Sequence, residues 1–498
     1  MQSQQQITPI PIGNQKQLFV DDLIIETLDG LQRTLHEGER TPHNPVVWGE
    51  QPWETMGVWI YGSVLRDEQS GQYKMWYQSN AGPPEGANVC YATSDDGIHW
   101  QKPAIGAVEF RGSKANNIVW GTGYWDAYTP SVVYDPHDPD PQRRYKLYTW
   151  DVQPPGTHVW PGFPDPPIDR KQFAPNQLLR GLWLATSPDG IHFTPYRYEP
   201  LVTEIGDVLP TIYDEQHRRF VSFTKINHVP AGEAPLYRRC VGMSVSSDGL
   251  QWSKPRLIIT PDGQDDAIVK AMGGERMEFY GLSGFPYEGI HLGFLWAFSI
   301  TKLSTSGKGR GWDDGPMHIQ LAYSRDGEQW QRPFSRSAII PGRPIGNFDH
   351  CVGAVVNRPL ILDDEIWVYY SGNVMTHGYD APPAYLAIGL AKFRRDGFIS
   401  LSSGPLAGTL LTKPFTIEGK RLELNVAAQR GWARAALVQP DGTPIAGFTE
   451  EECDLMTVDR VRCPVSWRGA TEISGLRGQA VRLRITLRHA HLYAFQVL

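Results

Sequence analysis

Apolar and polar positions alternate along this chain in short runs rather than at helical spacing. NVCYATS (88–94), LWLATS (182–187), VGMSVS (241–246), IQLAYS (319–324) and IGLAKF (388–393) each place Val, Leu, Ile, Trp or Tyr at every second position. That period predicts β-strands with one face buried. Each run leads into a variant of one turn: TSDDGIHW (93–100), TSPDGIHF (186–193), SSDGLQW (246–252), SRDGEQW (324–330) and the worn copy RRDGFIS (394–400). Upstream of each lies a strand–turn–strand pair, as in YGSVLRDEQSGQYKMWYQSN (61–80), with counterparts at 130–150, 210–225, 281–298 and 353–372. Recurrence of one supersecondary unit marks a repeat architecture. Five units of four strands predict an all-β fold, a five-bladed β-propeller over residues 1–400. A single large β-sandwich would not explain why the same strand order returns five times.

After residue 400 the alternation continues without the SxDG turn, and about 100 residues of this kind suit a β-sandwich domain over 401–498. Residues 1–50 form a lead-in, in which QLFVDDLIIE (17–26) is one strand able to pair with the last blade and close the ring. Segment 151–180 is Pro-rich, which disfavours sheet pairing and predicts a stiff loop.

Composition narrows the function without naming it. Gly (50) and Pro (40) are abundant and Trp plus Tyr number 38, which fits turn-rich β structure. A net charge of -7 supplies no basic footprint for nucleic acid and no attraction to an anionic membrane. No apolar run is long enough to span a bilayer. The N-terminus shows neither the charged nor the apolar segment of a signal peptide, so a cytoplasmic protein is expected, or a secreted one if a signal has been removed. Cysteines 90, 240, 351, 453 and 463 stand singly and read as buried thiols, with no metal-like spacing.

The SxDG turn is itself structural: Asp and Ser bond nearby amides and Gly supplies a positive φ. Five copies cannot all be catalytic, but they index the blades. Just ahead of the first strand of each unit, blade two offers Asp126, blade three Asp207, blade four Glu278 and blade five Asp349, while blade one shows Trp59 with Glu54 further back. Acids converging on one cavity can differ in protonation, as glycoside hydrolysis requires of its acid and its nucleophile or base. Trp59, Tyr61, Tyr124, Trp125, Tyr128, Phe279 and Tyr280 crowd the same positions and could stack on sugar rings. His350 could bind a sugar hydroxyl or a central cation, and of the adjacent Asp21 and Asp22 only one can face the cavity. No phosphate loop, HExxH, GxSxG or CxxC is present.

With its LFVDD opening, YKMWYQ second strand, SxDGxxW turns and trailing sandwich, the chain resembles the five-bladed propeller glycosidases of families 32, 43 and 68, family 32 above all. The resemblance implies an enzyme using Asp, Asp and Glu from successive blades: Asp126 as nucleophile or base, Asp207 as stabiliser and Glu278 as general acid. Asp22, Glu54, Trp59, Trp125, Tyr128, Asp349 and His350 are the substrate-binding candidates. Such an enzyme would release a terminal furanose, fructosyl or arabinosyl, from an oligosaccharide or glycoside. It would need no cofactor beyond an optional structural Ca2+ in the channel. A non-catalytic carbohydrate-binding propeller and a glycoside phosphorylase or transglycosylase are the alternatives, the phosphorylase calling on Lys225 and Arg276 for phosphate. This chain departs from the family pattern by placing Trp59 where the first blade usually carries Asp, and it lacks NDPN, RDP and EC at the corresponding slots.

Overall fold

The computed structural model describes residues 8–82, 86–121, 127–153, 179–197, 199–228, 238–303, 313–378 and 386–498. Five antiparallel sheets follow one another along the chain. Blade one contains Val58–Arg66, Tyr73–Asn80, Ala87–Ser94 and Ile118–Gly121; blade two Tyr128–Tyr134, Tyr145–Gln153, Leu179–Ser187 and Thr194–Pro195. Blade three contains Thr211–Asp214, Arg219–His228, Arg238–Ser246 and Arg256–Ile259; blade four Arg276–Tyr287, Ile290–Ile300, Met317–Ser324 and Ala338–Ile340. Blade five is built from Cys351–Val355, Glu365–Asn373 and Leu386–Arg394, with the short Leu360–Ile361 beside its second strand. First strands of successive blades touch one another or the neighbouring sheet, and blade five returns to blade one, so the sheets close into a ring.

The ring is closed by a different segment from the one the alternation suggests. Glu39–Arg40, not 17–26, supplies the outermost strand of blade five. Gln17–Leu18 pairs with His491–Val497, Ile25–Asp29 with Gly408–Thr412, and Gln32–Leu35 with Ile399–Ser402, which places the lead-in strand in the sandwich. The reason is apolar burial: Phe19, Val20, Ile24 and Ile25 are buried, and Phe19 meets Phe495, which in turn meets Phe415, in the sandwich interior. The closing strand is the polar pair beyond this apolar stretch.

At the centre, first strands pass backbone donors to hydroxyls of a neighbouring blade. Val132 N–H donates to Ser63 Oγ at 2.8 Å, Thr211 N–H to Ser131 Oγ at 3.0 Å and Ile60 N–H to Ser371 Oγ at 2.9 Å. These bonds satisfy amides that the sheets leave unpaired along the axis. Tyr61, Trp296, Pro210 and Asn357 surround a remnant of about 10 Å³, room for about one water, so the channel is plugged midway.

Four of the five repeated turns are built alike. Asp96 Oδ1 accepts from the amides of Ile98 and His99, both at 2.8 Å, and from Ser94 Oγ at 3.0 Å; Asp189, Asp248 and Asp326 repeat the set. Gly97 has φ +73, and a Cβ there would stand 2.7 Å from the Trp367 ring of blade five, so the turn docks on the preceding blade of the ring only as glycine. The fifth copy has changed use. Asp396 is buried, bonds Lys16 Nζ at 2.8 Å and Asn425 Nδ2 at 2.9 Å, and accepts from Tyr287 Oη, joining propeller to sandwich.

One α-helix, Gly263–Ala271, was not legible in the strand pattern. Asp262 caps it, with Asp265 answering the Asp262 amide at 2.8 Å in a capping box. Its Asp266 takes both Arg238 guanidinium nitrogens at 2.8 Å and the Met277 amide at 3.0 Å, tying blade three to blade four beside the axis.

Candidate active site

First and third strands begin, and second strands end, at one end of the axis. Alternation along the third strand of blade three sends Arg238 outward to the helix and Arg239 inward. Arg239 Nη1 bonds Glu278 Oε2 and, at 2.8 Å, Asp313 Oδ2. Arg276 Nη2 donates to the other Glu278 oxygen at 2.5 Å, so a carboxylate only 1% exposed carries a guanidinium on each oxygen. Beside it Lys225 pairs with Asp207 and lies 4.2 Å over the Tyr280 ring. Gly206 permits this approach: a Cβ there would meet Lys225 Cε at 2.8 Å.

Burial alone would raise Asp207, but the Lys225 charge and hydrogen bond outweigh it, and its carboxyl lies below the usual range. Burial lowers Lys225 despite the opposing pull of Asp207. Arg239 is raised, since Glu278 and Asp313 outweigh its burial. Burial pushes the phenols of Tyr61 and Tyr280 up, with Asp207 and Tyr128 adding to the effect on both. These aromatics therefore share one environment with the carboxylates.

His377, just past the second strand of blade five, completes the group. Burial brings it down to about 4, so it is neutral at pH 7. Its Nδ1 lies 3.2 Å from the Asp313 carbonyl oxygen, which can only accept, so Nδ1 carries the proton. Its Nε2 is then the acceptor for the Tyr280 hydroxyl at 3.1 Å.

Of the candidates read from sequence, Asp207, Glu278 and Tyr128 fall in this group. Trp59 is half-buried on the first strand of blade one, opposite Gln78. Asp126, Trp125 and Tyr124 lie outside the described residues. The remaining candidates do not join it. Asp349 is buried within blade five, taking Arg40 Nε at 2.7 Å and Tyr370 Oη at 2.9 Å. Glu54 is buried in blade one between Lys102 Nζ (2.7 Å), Tyr77 Oη (2.6 Å) and the Glu50 amide (2.9 Å). Asp22 is exposed and pairs with Arg33, while His350 Nδ1 faces the Arg343 carbonyl at 2.8 Å. Asp349 lies in the turn ahead of its first strand, where Arg40 and Tyr370 take it up.

Arg239, Asp313 and His377 lie off the first strands, so counting back from the repeated turns does not reach them. The RR pair at 238–239 opening an alternating run, and the DD pair at 313–314, were the available signals. No protein-family model and no curated protein matches the chain. Among solved structures it is similar to a thermostable family 43 glycoside hydrolase (15% identity, 72% of this chain and 95% of that one, TM-score 0.45). It is also similar to a Bombyx mori family 32 β-fructofuranosidase (10%, 92% and 95%, 0.42). A third is an N-acetylgalactosamine deacetylase from F. plautii in complex with blood group B trisaccharide (15%, 78% and 95%, 0.43). The likeness is one of fold.

The described residues do not fit a Ca2+ ion at this end of the channel. Such an ion takes six to eight oxygens, and Asp207, Glu278 and Asp313 each already hold a Lys or Arg. A cavity of about 1010 Å³ opens at the opposite end of the axis, lined by the turn acids Asp67, Asp135 and Asp138 with Tyr134 and Tyr145.

Proposed function

We propose that the chain is a glycoside hydrolase acting at the end of the axis that holds Asp207 and Glu278, releasing a terminal furanose of fructosyl or arabinosyl type. The observation that carries this reading is the convergence of two carboxylates at equivalent positions of adjacent blades, beside Tyr280, Tyr61 and Tyr128. Tyrosine faces suit sugar rings, and ion-paired carboxylates and guanidiniums suit their hydroxyls.

In this reading Asp207, kept ionised by Lys225, serves as nucleophile, base or stabiliser. Both Glu278 oxygens accept from guanidiniums as they stand, so Glu278 can protonate a leaving group only after substrate draws one guanidinium away. Asp126 remains the candidate for the third carboxylate. The Tyr280–His377 pair positions a hydroxyl at the rim without adding charge. A panel of aryl glycosides tests the proposal: hydrolysis of a furanoside supports it, and binding without release on every sugar returns the chain to a carbohydrate-binding role. Three cations at one site, Lys225, Arg239 and Arg276, favour phosphorolysis as the second reading. Turnover that depends on added phosphate would select it.

A further inference from the structure

At the opposite end of the axis from Glu278, three metal-binding side chains meet where blades three and four adjoin. Asp214 ends the first strand of blade three, His217 lies on the turn that follows, and His291 begins the second strand of blade four. Asp214 Oδ2 is 2.8 Å from His217 Nδ1 and 3.1 Å from His291 Nε2, and the three atoms lie within 4.8 Å of one another. The imidazoles are stacked at 5.0 Å and 11°. Two ligands on a tetrahedral ion with bonds of roughly 2.0–2.1 Å stand about 3.3 Å apart, so a small movement of these groups would admit one.

Two of the repeated turns that follow third strands also carry Asp–His pairs three residues apart, Asp96 with His99 and Asp189 with His192, but there each Asp bonds one histidine and both members are largely exposed. At Asp214 the carboxylate is 1% exposed and His291 3%. His291 Nδ1 is buried with no hydrogen-bond partner, so the ring is held through Nε2, the nitrogen that faces Asp214. Gly327, at the repeated turn of blade four, covers both rings: a Cβ there would stand 3.0 Å from His291 and 3.1 Å from His217. His217 leaves about a third of its side chain exposed, which provides a way in and an open coordination position.

We propose that Asp214, His217 and His291 form a three-ligand site for a divalent ion of the zinc type that staples blade three to blade four. Two imidazole nitrogens and one carboxylate oxygen suit Zn2+ or Co2+ and are too few and too nitrogen-rich for Ca2+ or Mg2+. The charged neighbours are Arg219, whose Nε is 3.6 Å from Asp214 Oδ2, and Glu328, which holds Arg219 and Arg256. Glu328 thus offsets one of the two nearby cations. Binding takes the lone pairs of His217 Nδ1 and His291 Nε2, so each neutral ring keeps its proton on the other nitrogen.

The test uses the full chain, stripped with chelator and titrated with Zn2+ by calorimetry and with Co2+ by visible absorption. The expected result is one equivalent bound, a four-coordinate Co2+ spectrum and a rise in unfolding temperature. His217→Ala, at the ligand that is a third exposed, should weaken binding by about a hundredfold or more, and His192→Ala, at a single-histidine turn, should leave it unchanged. Circular dichroism of His217→Ala without metal, matching the wild type, separates ligand loss from misfolding. No stoichiometric binding, or binding untouched by His217→Ala, would overturn the proposal and leave the trio as a hydrogen-bonded turn.

Discussion

Blades three and four and blades one and five all place an acid at or just ahead of the start of their first strand, yet the acids have opposite fates. Asp207 and Glu278 meet cations from neighbouring strands at the axis, within a cluster of tyrosines. Asp349 and Glu54 turn into their own blades and are consumed by Arg40 and Tyr370, or by Lys102, Tyr77 and backbone amides. An acid near a repeat boundary is therefore not informative by type. What decides its use is which segment of the fold supplies its partner.

The comparison breaks most sharply at Asp207. Asp207→Asn should lower turnover about a thousandfold or more and should also cost about 3 kcal/mol in urea unfolding, because it leaves the buried Lys225 without its anionic partner. Asp349→Ala should spare turnover. Removing one member of a buried pair strands Arg40 and should cost about 3 kcal/mol in urea unfolding, with turnover per folded molecule unchanged. Next comes acidity. Burial holds His36, His318 and His377 down at about 4 against an ordinary 6.5. The unfolded chain takes up protons at these sites first, so stability is full above about pH 6.5 and falls as pH drops toward about 4. Unfolding midpoints measured across that window check the sign, and His36→Gln should flatten part of the slope. The smallest effect belongs to an intact turn: Asp96→Ala should cost about 1 kcal/mol, the scale of a lost cap. Asp396→Ala should cost more, because it leaves the buried Lys16 unpaired.

Much of the fold was legible in the sequence because the repeated turn obeys local chemistry. Asp96, Asp189, Asp248 and Asp326 bond amides two and three residues ahead, so any copy announces itself without reference to the rest of the chain. Ring closure was not legible, because Glu39–Arg40 is two polar residues whose role depends on the free edge of Leu386–Arg394. The site was legible in half. Spacing located Asp207 and Glu278, but it pointed equally to Asp349, because bulges beside the first strands, such as that between Phe279 and Gly281, leave a residue count unable to separate them. Arg239, Asp313 and His377 come from third strands and loops far along the chain. Only tertiary packing brings them to Glu278.

The central claim is that Glu278, and not the equally buried Asp349, belongs to the active site. Release of the aryl group from a furanoside panel by wild type, Glu278→Gln and Asp349→Asn, each normalised to folded protein, tests it most directly. The account predicts turnover by the wild type and by Asp349→Asn, with a loss of about a thousandfold or more in Glu278→Gln. Near-normal turnover by a folded Glu278→Gln, or selective loss in Asp349→Asn, would contradict it.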